Sequence, residues 1–177
     1  MWLLGSSGFS AQLAGVLGPP FTLAHHFAGD GTEAALALYR DRFEPSSFLA
    51  DSHAMIAVGV ISDDDAEVVR RESLPGLITF IRMRQGKTPA PVSMEEALAY
   101  SFSPYEQELV QTRNWCQAVV TPDQVDAALT RLRGSTGADE LMVSVQSSSP
   151  AGHIRPLEIV ADLRAAVVPA IPAAPAA

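Results

Sequence analysis

The sequence predicts an α/β fold of about four parallel strands covered by helices, and three observations carry that prediction. Four short apolar runs stand apart along the 177 residues, Trp2–Leu4, Phe21–Ala24, Met55–Ile61 and Glu140–Val145. None of them alternates cleanly between apolar and polar residues, as strands buried on both faces do not. Helical patterns lie between them, and repeated strand–helix units build a parallel sheet.

Taken in order, the first run ends in Gly5-Ser6-Ser7-Gly8 and passes into a helix over Phe9–Leu17. Gly18 and the pair Pro19-Pro20 close that helix, since glycine accepts a left-handed C-cap and proline cannot continue the ladder. After the second strand, Thr32–Phe43 repeats apolar residues at helical spacing, with Thr32 as its expected N-cap. The third strand, "MIAVGVI", is rich in β-branched residues. It runs into "SDDDAE", whose carboxylates favour a helix N-terminus through the dipole. Residues 84–114 form an irregular insertion, in which "GKTPAPVS" reads as an exposed loop followed by short helices. Thr121 and Pro122 then start a helix over Pro122–Leu132. The last strand follows, and a final helix is expected from near Pro156 to just before Pro169. One domain over residues 1–167 is therefore expected, with a disordered Pro/Ala-rich tail over 168–177.

Composition excludes several classes of function. Hydrophobic residues make up 47% and charged residues 18%, as in a globular chain. A formal net charge of −8 opposes both nucleic acid and an anionic membrane surface, because each needs a basic face. Cys116 is the only cysteine and cannot form an internal disulfide. Its apolar surroundings beside Trp115 suggest a buried, inert thiol. No leader and no apolar run of about 20 residues is visible, so the expected location is the cytoplasm. No metal is expected. His25 and His26 are adjacent on an expected strand and would point to opposite sides, and Asp63, Asp64 and Asp65 read as helix caps.

"LLGSSGFSAQLAG" is the segment with chemistry in it. Glycines at 5 and 8 let a ligand approach the backbone. Amides at the start of a helix carry partial positive charge, so the N–H groups of Gly8 and Phe9 with the hydroxyls of Ser6, Ser7 and Ser10 form a candidate phosphate cradle. A plain serine-capped turn has the same residues. The pattern is neither a P-loop nor the three-glycine dinucleotide fingerprint.

At this point the residues carry a resemblance. "WLLGSSGFSAQLAGVLGPPFTLAHHF" is similar to the middle of the bacterial luciferase-like, flavin-dependent monooxygenases. "EAALALYRDRFEPS", "MIAVGVISDDDAEVVRR", "TPDQVDAALTRLRGSTGADELMV" and "HIRPLEIVADL" follow in the same order as in that family. Val120-Thr121 departs from it, because a Gly-Ser pair is common there. The resemblance implies a TIM-type (β/α)8 barrel of which this chain is the C-terminal half, so that "MWLLGSSG" corresponds to a fifth strand. It further implies reduced FMN delivered by a separate flavin reductase, molecular oxygen and a small organic substrate. By the same resemblance Ser6, Ser7, Gly8, Phe9 and Ser10 hold the FMN phosphate, and no catalytic residue is assigned. The barrel it implies also makes His25 or His26 and Gln146, with Ser147 beside it, weaker candidates for lining the substrate pocket, because they follow strands at the end where barrel sites lie. The alternative is a non-catalytic half-barrel that completes a barrel with a second copy or a partner chain, because four strands leave two open edges.

Overall fold

The computed structural model describes residues 1–28, 31–88, 90–114, 117–145, 147 and 149–167. Trp115, Cys116, Gln146 and the tail over 168–177 lie outside the described residues, and with them the expectations placed there.

A parallel sheet forms the centre. Strands β1 (Leu3–Gly5), β2 (Phe21–Leu23), β3 (Ala54–Ile61), β4 (Gln117–Val119) and β5 (Glu140–Ser144) all run in one direction. Register fixes their arrangement. Gly59 lies opposite both Gln117 and Ser144, so β4 and β5 occupy opposite edges of β3. Ile56 lies opposite Leu23 and Leu141, so β2 shares an edge of β3 with β4, farther down the strand. Four strands therefore run across the sheet as β1-β2-β3-β5, and β4 is a short addition beside the end of β3. That addition was not visible in the sequence, because Gln117–Val119 is too short to show a period.

The helices are α1 (Gly8–Leu17), α2 (His25–Ala28), α3 (Thr32–Asp41), α4 (Ala66–Arg84), α5 (Met94–Ala99), α6 (Pro104–Asn114), α7 (Pro122–Thr136) and α8 (Pro150–Val167). α1 ends as its sequence demands. Gly18 sits at φ 73° and donates its N–H to Ala14 at 2.9 Å. A Cβ at that position would meet the Glu44 carbonyl at 2.4 Å, so the turn requires glycine on two counts.

Three expectations are corrected. Thr32 is the first residue of α3 rather than its cap; Gly31 holds the cap position, and the Thr32 hydroxyl turns to His25. His25 and His26 lie in the short helix α2, not on a strand, so the argument that they point to opposite sides of a strand does not apply. α8 starts at Pro150, six residues before the expected site, because Ser149 caps it through Gly152 N–H at 3.0 Å.

The core lies between one face of the sheet and helices α1 and α3. Phe21, Leu23, Ala54 and Ile56 meet Ala11, Ala14, Ala35, Leu36 and Tyr39 there, with Leu3 and Leu141 packed against them. Each fully buried large side chain contributes roughly 1.5–3 kcal/mol. Alternation sends the next residues to the other face, where Leu4 is 67% exposed and Met142 48%. A parallel sheet normally buries both faces. Here the two outer strands leave apolar residues uncovered on one of them.

Candidate functional site

The loop between β1 and α1 lies at the C-terminal end of the sheet. Ala24 N–H donates to the Gly5 carbonyl at 2.8 Å, which holds the ends of β1 and β2 side by side. It follows that the Ser6–Gly8 loop and the His25–Ala28 turn neighbour each other.

Ser7 takes the N-cap position in extended backbone, φ −145° and ψ 164°. Ser10, three residues on, accepts from Ser7 N–H at 3.3 Å and donates to the Ser7 carbonyl at 2.8 Å. Its hydroxyl thus braces the loop and is not presented to a ligand. Gly5 makes room for it, since a Cβ at residue 5 would lie 2.0 Å from Ser10 Oγ. Gly8 differs. A Cβ there would find only Leu38 Cδ2 at 3.6 Å, an ordinary contact, so the space beside it is open. Ser6, Ser7, Gly8 and Phe9 are all exposed. The five loop residues singled out in the sequence therefore divide into four at the open surface and one brace.

Electrostatics sets this helix start apart. α3 carries Glu33 in its first turn, α4 carries Glu67 behind the cap Asp65, α6 carries Glu106 and α7 carries Asp123. α8 has no acidic residue in its first turn, but the Glu72 carboxylate of α4 reaches it, accepting from Ser149 Oγ at 3.0 Å and from Ser147 Oγ. Gly152 allows that approach, because a Cβ there would meet Glu72 Oε2 at 2.8 Å. Among the described helices of eight or more residues, α1 alone has neither a first-turn acid nor a carboxylate bonded at its start. In a chain with 20 acidic residues against 12 basic ones, the dipole of α1 is the one left uncompensated among those described helices.

His25 is buried, and its Nδ1 lies 2.7 Å from the Thr32 hydroxyl, which ties α2 to α3. The Nδ1 of His26 lies 3.0 Å from the Ala57 carbonyl. A carbonyl only accepts, so Nδ1 is the donor in this bond and Nε2 lies on the other side of the ring from it. Ala57 sits between the part of β3 paired with β2 and the part paired with β4, and the imidazole fills that gap in the ladder. The His26 ring packs 4.2 Å from Phe27, which is 56% exposed at the same end of the sheet. His26 is thus set beside the loop, and His25 is part of the packing behind it. Gln146 lies outside the described residues, and Ser147 is engaged by Glu72.

Two further features were not legible in the sequence. Ser62, directly after β3, is 2% exposed and its hydroxyl has no hydrogen-bond partner among the described residues. A cavity of about 500 Å³ lies between α4, α6, β4 and α7, lined by Val69, Ser73, Leu77, Val110, Val120 and Thr121 among others, and it shares no residue with the loop. Among the described residues, no three His, Cys, Asp or Glu side chains are grouped to hold a metal ion, and no helix is long and apolar enough to cross a membrane.

Comparison with known proteins adds to this geometry. No protein-family model matches the chain. An uncharacterized protein of Bacillus subtilis, YvbT, is 37% identical over 163 residues, which is 92% of this chain and 48% of that protein. A luciferase-like monooxygenase of Escherichia coli K12 is 35% identical over 167 residues, 93% of this chain and 49% of the relative. Among solved structures, apo-MsnO8 superposes with a TM-score of 0.76 at 27% identity, over 91% of this chain and 49% of the other. The chain spans about half the length of the curated relatives it matches.

Proposed function

The chain is a relative of the luciferase-like monooxygenases over about half of their length, and on that premise we propose that it is the phosphate-holding half of a flavin-dependent oxygenase. One observation supports the reading above the others: the start of α1 is the only uncompensated helix N-terminus among the described helices of eight or more residues, and it is exposed. A phosphate dianion needs donors and a helix start without an acid in its first turn, and α1 offers both. The N–H groups of Gly8 and Phe9 and the hydroxyls of Ser6 and Ser7 would hold the phosphate of FMN. Ser10 keeps the loop in shape. Reduced FMN, supplied by a separate reductase, brings the electrons with which molecular oxygen is activated toward an organic substrate.

This chain's own residues bind and position. The loop anchors one end of the cofactor, and His26, fixed through Nδ1, offers Nε2 to a bound molecule at the adjoining strand end. Water exclusion requires walls that four strands do not supply, so the isolated chain is expected to bind FMN weakly and to be colourless after purification. Titration of FMN followed by its phosphorus resonance suits such weak binding. Replacing Ser6 and Ser7 together by alanine removes two hydroxyl donors to a charged group, and affinity is expected to fall about ten- to hundredfold. An unchanged affinity would reduce the loop to a turn. A second reading, a half-barrel without catalysis of its own, is favoured by the uncovered residues Leu4 and Met142. Absence of oxygenase activity in a completed, flavin-loaded barrel would select it.

A further inference from the structure

Two helices begin beyond the C-terminal ends of the outer strands of the four-strand path, α1 after β1 and α8 after β5. Serines and a glycine form both starts, and neither helix has an acid in its first turn. They differ in what already lies there. At α1, Ser6, Ser7, Gly8 and Phe9 are exposed, and no carboxylate is bonded to them among the described residues. At α8 a carboxylate from a distant element is in place. Glu72 of α4 accepts from Ser149 Oγ at 3.0 Å and from Ser147 Oγ. A hydroxyl has one proton to give, so both serines spend theirs on this anion. Their lone pairs take backbone donors, Gly152 N–H on Ser149 Oγ at 3.0 Å and Ser149 N–H on Ser147 Oγ at 3.2 Å. Capping is therefore complete without the carboxylate, because the Ser149 hydroxyl alone accepts from Gly152. Residue 152 nonetheless leaves room for it. A Cβ there would lie 2.1 Å from Ser147 Oγ and 2.8 Å from Glu72 Oε2.

We propose that Glu72 is a specificity-determining residue: an anion of the chain's own, it closes the start of α8 to phosphate and leaves α1 as the place where one binds. The second half of this statement rests on the phosphate reading of the Ser6–Phe9 loop, and the first half does not. Two effects close the site. The hydroxyl protons that an oxyanion would take are already given to a charged acceptor, and such bonds are stronger than neutral ones. A phosphate brought to the same donors would also stand beside a carboxylate, in a half-buried setting where like charges repel more than in water. Without the Glu72 side chain, two serine hydroxyls and the first-turn amides of a long helix face an empty space of carboxylate size, the conditions under which a helix start takes up an anion.

The test is titration of inorganic phosphate into the full 177-residue chain at constant ionic strength, with the amide resonances of Gly8 and Gly152 followed separately. In the parent protein Gly152 should not respond. In Glu72→Ala it should shift saturably, with an affinity at least tenfold above any response of the parent there. Adding Ser149→Ala to that variant should abolish the gain. Glu108→Ala, at an exposed position of α6, removes the same charge elsewhere and should leave Gly152 silent. Glu72→Gln keeps the bulk of the side chain without its charge and should show a smaller gain, so it carries the test if the alanine variant does not fold. The proposal is overturned if Gly152 responds equally in the parent, stays silent in the folded variant, or responds as much in Glu108→Ala. Gly8 reports on the loop alone. Its silence in every protein would sink the phosphate reading of α1 while a response of Gly152 still upheld the role of Glu72 at α8.

Discussion

At the scale of single residues, the loop is held by one reciprocal fit. Ser10 bonds back to both backbone groups of Ser7, and its hydroxyl fills the space that a side chain on Gly5 would need. Gly5→Ala is therefore expected to destabilise the fold by about 1–3 kcal/mol, the usual range for overpacking. Replacing Ser10 by glycine in the same protein should recover part of the loss, and thermal unfolding of the two variants measures it. A different residue reports on pH. Glu106 accepts from Ser103 N–H and from the hydroxyls of Ser103 and Tyr100, and these bonds hold its carboxyl down at about 2. A depressed folded value stabilises above the ordinary carboxylate range, near 4.5, and the contribution is lost as pH falls through about 2. The difference in unfolding midpoint between the parent and Glu106→Gln should be full at pH 6 and shrink between pH 4.5 and pH 2. A constant difference would show that the carboxylate does not titrate as its bonds require.

Elements show how far a sequence exposes its own fold. Strands β1, β2, β3 and β5 were legible as apolar runs, α1 as a helix closed by Gly18, and α7 by its start at Thr121-Pro122, though it runs on to Thr136. β4 was not, because three residues carry no period and its pairing depends on β3. The early start of α8 was missed although its signal is local, the serine cap Ser149 followed by Pro150 at the first helical position. The candidate site shows the same division. Serines and glycines of the loop could be read directly, whereas the local role of Ser10 and the ladder-filling position of His26 depend on partners that only the folded chain brings near. Tyr39 joins several elements at once. Its hydroxyl donates to the Pro19 carbonyl at 3.0 Å and accepts from His53 N–H at 3.2 Å, linking α3 to the segments that lead into β2 and β3. Tyr39→Phe leaves a buried N–H and a carbonyl short of a partner and should cost about 1–3 kcal/mol in urea unfolding. A loss below a few tenths would mean that water replaces the hydroxyl.

For the molecule as a whole, two surfaces of opposite character meet at one corner. The helix start at Ser7–Phe9, which has no acid in its first turn, is the proposed anion site, and the exposed apolar side chains of α1, Phe9, Leu13, Val16 and Leu17, begin beside it. Protein packed on those side chains would wall the proposed site against water and strengthen its hold on phosphate, because charge-assisted bonds gain as the local dielectric falls. The chain's acidity makes this choice of site specific, since the other described helix starts of comparable length are already supplied with a carboxylate. The central claim is that the loop grips the phosphate of a flavin nucleotide, and comparing FMN with riboflavin tests it most directly, because the two differ only in that group. FMN should bind at least tenfold more tightly to this protein, and the preference should vanish in the Ser6→Ala, Ser7→Ala variant. Equal affinity of the parent protein for the two flavins would contradict the account.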